Sequence, residues 1–190
     1  MMVEVQVQQE KRPITPRSLI KRFVKDRRGS TAVEFVLLAA PFLGLIFAII
    51  ESSVSFAAHQ VTANAVEDLA RDLRTGTLKQ ADASPAFVRD YICERIDILV
   101  ANGCPDLYID LKTYAEYNQV PLTIPLAGGD LNTSGFDITP GGARTINQLR
   151  VFYKWPYYTD FISAKLAELP EGKTLIFATT TWRNEPFQDS

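Results

Sequence analysis

Between Phe35 and Ile50 the chain carries sixteen consecutive residues, FVLLAAPFLGLIFAII, without a charge or a hydrogen-bonding side chain. Residues 30–50 together would make roughly 31 Å of helix at about 1.5 Å per residue, which matches a hydrocarbon core of about 30 Å. Charge is distributed unevenly around this run. Residues 11–28 hold eight of the 20 Lys and Arg (Lys11, Arg12, Arg17, Lys21, Arg22, Lys25, Arg27, Arg28) against the single acid Asp26, a local charge of +7. Residues 30–190 hold 12 bases and 19 acids, a charge of −7. A basic block on the amino-terminal side places residues 1–29 in the cytoplasm and everything after about residue 52 across the membrane. This pattern excludes a purely cytosolic protein, and anionic lipid accounts for the basic block without any nucleic-acid partner.

One residue departs from an ordinary anchor. Glu34 lies inside the membrane-length segment, where a carboxylate costs about 2.5–3.5 kcal/mol at a helix centre and less near its end. It reads either as an interfacial acid, snorkelling or favoured by the helix macrodipole, or as a residue with a partner. The second reading draws on its neighbours. Arg27-Arg28-Gly29-Ser30-Thr31-Ala32-Val33-Glu34-Phe35 places a small residue at the end of the basic leader and an acid five residues beyond it. The arrangement resembles the cleavage site of type IV prepilins, which a membrane aspartic peptidase cuts directly after the Gly.

Gly29 to Glu51 further resembles the signature of TadE-like minor pseudopilins of the Tad tight-adherence system, a signature that their paralogue TadF shares. Ala32, Val33, Glu34, Phe35, Leu37 and Pro41 carry the resemblance, with Val36 in the place of the usual Ala. The stretch 63–71, ANAVEDLAR, is similar to the small-residue and Ala-Arg ending of the family's long helix. Arg183-Asn184-Glu185-Pro186-Phe187 is similar to the ending of alphaproteobacterial members. The resemblance implies removal of the leader between Gly29 and Ser30 by a prepilin peptidase. It also implies pairing of Glu34 with the new amino terminus of Ser30 or of a neighbouring subunit, which lowers the cost of burying both charges. The implied partners are other pilins or pseudopilins and the Tad inner-membrane assembly platform. The implied location is the bacterial inner membrane, with one pass, a cytoplasmic amino terminus and a periplasmic domain.

Beyond the membrane the helix is expected to continue. Residues 52–74 contain no Pro or Gly, and Val54, Ala58, Val61, Ala65, Leu69 and Leu73 recur at three- to four-residue spacing until Gly76 stops the pattern. One helix over 30–75 would be roughly 69 Å long at 1.5 Å per residue. Pro41 inside it removes a backbone hydrogen bond, and reads equally as a bending point or as a harmless membrane proline.

The remainder reads as a small α+β domain. Ser84-Pro85 opens a helix carrying Phe87, Val88, Tyr91, Ile92, Ile96 and Leu99 that ends at Asn102-Gly103. Alternating segments 107–111 and 149–155 read as half-buried strands and 175–182 as a third candidate strand, with a short helix over 160–169 before the last. The expected product is a three- or four-stranded antiparallel sheet packed on the long helix. Residues 121–144, with three Pro and five Gly, read as a long loop, functional or mobile. The domains are therefore a leader 1–29, a transmembrane segment 30–51 and an exported domain 52–190. Cys93 and Cys104 both fall in the exported part, where an oxidising compartment favours a disulfide.

Chemistry in the exported part is sparse. His59 is the one histidine, and the sequence lacks metal-ligand spacings and the nucleophile, Walker and dinucleotide motifs. Asp130 to Gly135 imitates the opening of a calcium loop, but Gly141 stands where the bidentate Glu is needed. The aromatic run 152–158 reads as core or as an adhesive surface. No catalytic residue, metal or cofactor is expected, and the chain is not expected to be an enzyme. The competing class is an exported domain of unknown binding activity, either anchored by the apolar run or released by an ordinary signal peptidase near Ala57-Ala58.

Overall fold

The computed structural model describes residues 30–159, 163–165 and 167–187. The leader 1–29, including Gly29, lies outside the described residues. The chain divides into two compact units, one ending at Ile46 and the other beginning at Phe47.

The first unit contributes the start of α1 (Ser30–Thr75), a helix of 46 residues that runs through Pro41. Its apolar side chains are exposed, among them Phe35, Leu38 and Phe42. By length and composition this helix can cross a membrane.

In the second unit the rest of α1 packs through Ala58, Thr62, Ala65, Val66, Leu69, Ala70 and Leu73. The stripe is wider than the sequence suggests, and it starts later, because Val54 remains partly exposed. Thr62 is accommodated in it because its hydroxyl donates to the Ala58 carbonyl at 2.8 Å. The helix stops at Gly76, whose φ of +75° suits the left-handed cap position. The second helix, α2 (Pro85–Ile96), begins where expected, with Ser84 Oγ accepting from the Phe87 N–H at 3.2 Å and Pro85 in the first turn. It ends six residues before Asn102. A tight bond from the Leu99 N–H to the Ile96 carbonyl, 2.9 Å, closes the last turn and leaves Leu99 and Val100 against the core outside the helix.

Strands β1 (Leu107–Tyr114), β4 (Ile146–Pro156) and β5 (Lys173–Arg183) form the expected antiparallel sheet, with three strands in the order β1-β4-β5. Register puts Leu111 opposite Leu149, Ile109 opposite Val151 and Leu107 opposite Tyr153. These residues, with Trp155, Ile176, Ala178 and Trp182, meet α1 and α2 in one core. Of the short helix expected over 160–169, residues 163–165 are helical, while 160–162 and 166 lie outside the described residues.

The segment 121–144, read as a long loop, is irregular over most of its length. It contains a hairpin, β2 (Leu126–Ala127) with β3 (Asp130–Leu131), turned at Gly128 and Gly129 with φ of +62° and +83°. Two consecutive positive φ angles are what a two-residue hairpin of this twist requires. The segment covers the second face of β4, which is consequently buried along both faces rather than half-buried. The polar residues read as solvent-facing have protein partners instead. Gln148 Nε2 donates to the Pro121 carbonyl at 3.0 Å, and Phe136 stacks on Phe152 with centroids 5.4 Å apart. Arg150 binds Asp110 through Nε at 3.1 Å and Nη2 at 2.5 Å.

Cys93 on α2 is bonded to Cys104, with Cα atoms 5.9 Å apart. Arg89 reinforces this link, donating to the carbonyls of Cys104 at 2.6 Å and Leu107 at 2.8 Å. Chain-entropy reasoning assigns the closed loop a stabilisation of about 2–3 kcal/mol. Replacing both cysteines by Ser is expected to lower domain stability by that amount in denaturant titration of the full chain, and an unchanged midpoint would refute this role.

Candidate functional site

The candidate site begins at the start of α1. Ser30 is the first helical residue and Glu34 follows at i+4, so both lie on one helix face. The first turn of α1 contains no acid, which places Glu34 past the positions where the macrodipole chiefly favours a carboxylate. That argues against the macrodipole explanation of this residue. Glu34 is exposed among exposed apolar neighbours.

Within the second unit, the end of the apolar run carries a feature the sequence did not disclose. Glu51 Oε1 accepts from the backbone N–H groups of Tyr158 at 2.5 Å and Thr159 at 3.3 Å, and the Thr159 hydroxyl donates to Oε2. Three donors thus satisfy the first charged group after the apolar run. Beside it Phe47, Ile50, Val54, Trp155 and Tyr158 line an open groove of about 400 Å³. The partners are 107 and 108 residues apart in sequence, so no local spacing could have identified them.

The carboxy-terminal motif has a structural role. Asn184, which is buried, donates through Nδ2 to the carbonyls of Gly141 and Gly142 at 2.8 and 2.9 Å, and accepts from Trp182 Nε1 at 2.6 Å. The Glu185 N–H donates to the Arg74 carbonyl at 2.9 Å, supplying a partner to the end of α1. Phe187 packs against Gly76 so closely that a Cβ there would meet its ring at 2.6 Å. The motif therefore closes the far end of the long helix, with Gly76 required both for backbone conformation and for space.

Other candidate residues have partners of a structural kind. His59 meets Phe177 edge-on with ring centroids 6.4 Å apart. The calcium-like string is a turn: Asn132 Oδ1 accepts from the Ser134 N–H at 3.1 Å, and Asp130 pairs with Lys154 at 2.7 Å. The Lys154 hydrogen bond holds the Asp130 carboxyl below its ordinary range. Of the aromatic run, Phe152, Tyr153 and Trp155 are buried, and Tyr158 is exposed. Among the described residues, no group of three His, Cys, Asp or Glu side chains converges as a metal site. The cleavage reading near Ala57-Ala58 falls inside α1, where Ala58 is buried against the domain.

The amino-terminal segment is TadE-like: residues 29–71 match the family described as TadE-like protein. The match runs from Gly29 through most of α1 and stops before α2, leaving the sheet domain outside it. Nothing among curated proteins or solved structures matches the chain.

Proposed function

We propose that this chain is a non-enzymatic minor pseudopilin, a subunit or assembly factor of a Tad-type pilus. In this reading a prepilin peptidase cuts between Gly29 and Ser30 on the cytoplasmic face. The helix holds the product in the bacterial inner membrane, and the domain from about residue 52 lies in the periplasm. Its partners are other pilins or pseudopilins and the inner-membrane assembly platform.

The observation that carries this reading is a TadE-like segment, with Glu34 just past the first helical turn, built as one helix with the stem of a small α+β domain. Other features agree with it. The basic leader gives the inside-positive charge asymmetry, and Glu34 places an acid at the start of the apolar core, where an ordinary signal sequence would not. Co-expression with the matching peptidase tests the cleavage step. The wild-type chain is expected to lose its first 29 residues, roughly 3.4 kDa at about 115–120 Da each, and to begin at Ser30 by amino-terminal sequencing. Gly29→Trp is expected to block this sterically. A mature terminus at Ala58, or normal processing of Gly29→Trp, would overturn the assignment.

A further inference from the structure

We propose that the turn after β4, residues 157–159, is a lipid-contact element in which Tyr158 enters the headgroup layer on the exported side and Glu51 fixes its depth. The inference rests on α1 being the membrane anchor.

Residues 31–50 span about 30 Å as a helix, the thickness of the hydrocarbon layer, so Glu51 falls at its edge. Glu51 binds the backbone of Tyr158 and Thr159 directly, so this turn is held at the level of that edge. Tyr158 is 84% exposed, and Phe47 and Ile50 beside it are 60% and 53% exposed. A Tyr ring with one apolar body and one polar tip is the side chain that settles at a membrane interface, its hydroxyl among headgroups and its ring toward the acyl chains.

The groove lined by these residues also has a definite occupant. Its walls on α1, Phe47 and Ile50, belong to the same uncharged run that the span places in lipid. Acyl chain and headgroup therefore reach it without a gap, whereas a second protein would have to displace lipid from one side. The three donors on Glu51 lower the cost of holding a carboxylate at this boundary, which explains why an acid is tolerated there.

Depth-dependent quenching tests the contact. Full-length protein is reconstituted in phosphatidylcholine and phosphatidylglycerol vesicles, with or without brominated acyl chains, as wild type, Tyr158→Trp and Leu122→Trp. The native Trp155 and Trp182, measured in wild type, supply the baseline. Leu122 is 94% exposed and follows Pro121, which is bound by Gln148. Gln148 stands eight residues along β4 from Pro156, about 26 Å at 3.3 Å per residue.

The added emission of Tyr158→Trp is expected to fall at least about twofold with brominated lipid, and that of Leu122→Trp to be unchanged. Adding Glu51→Ala to Tyr158→Trp is expected to reduce the quenching. Vesicle flotation separates the two layers of the argument. Protein that floats with vesicles but shows no quenching of Tyr158→Trp overturns the contact while leaving the anchor intact. Protein that does not float overturns the anchor and the contact with it. Emission that is shielded by raising protein density rather than by lipid would assign the groove to a second copy and refute the lipid occupant.

Discussion

Replacing Asp110 by Ala is expected to cost the α+β domain about 3–5 kcal/mol, the typical effect of stranding a buried charge. Asp110 is 1% exposed, and it accepts from both Nε and Nη2 of Arg150 and from the Asp137 N–H at 3.0 Å. Removing it leaves a guanidinium beside the stacked rings of Phe136 and Phe152, 5.8 and 6.0 Å from their centroids, without its anion. The opposite change is expected to cost less. After Arg150→Met the carboxylate still has Lys112 Nζ at 3.2 Å and the Asp137 N–H. The double variant Asp110→Leu, Arg150→Met is expected to recover much of the loss, because a well-packed apolar pair replaces a buried ion pair at little or no cost. Denaturant titration of the four proteins in detergent measures the cycle. Equal losses in both single variants, or additive losses in the double, would contradict the stranded-charge explanation.

The same residues explain why the sequence was legible in some places and closed in others. The bounds of α1 followed from local signals: an unbroken apolar run, an Ala-rich stripe and Gly76. Two of the three strands followed from alternation, since Leu107, Ile109, Leu111 and Leu149, Val151, Tyr153 repeat at period two. Alternation, however, reports which side chains are apolar and does not say what covers the polar ones. Asp110 and Arg150 are 40 residues apart, and each alone reads as a solvated charge. Only cross-strand register makes them neighbours. What the loop 121–144 covers was closed for the same reason, because its Gly and Pro content describes turns but not the sheet face they pack on. Glu51 closes the apolar run in sequence, yet its hydrogen-bond donors come from the turn after β4. Cys93 and Cys104 were readable because they lie only 11 residues apart and are the two cysteines of the chain.

Glu34→Gln is expected to leave membrane insertion intact, or improve it, and to abolish assembly. A neutral amide is cheaper than a carboxylate in hydrocarbon, so a residue that served only anchoring would gain from the change. If cleavage after Gly29 frees the amine of Ser30, the charge balance becomes the deciding quantity. Ser30 and Glu34 share a helix face, and an ammonium at the membrane edge needs an anion from its own chain or a neighbour. Removing one member of such a pair typically costs about 3–5 kcal/mol. Since each 1.4 kcal/mol is a tenfold change in an equilibrium constant, association with pilin partners should weaken by two or more decades. Membrane fractionation, crosslinking to partners and a pilus count on the same cells distinguish these effects. Intact fractionation with lost crosslinks and lost pili is the expected pattern. Normal crosslinks and pili would make Glu34 an interfacial acid and remove charge pairing from the account of how this chain enters an assembly.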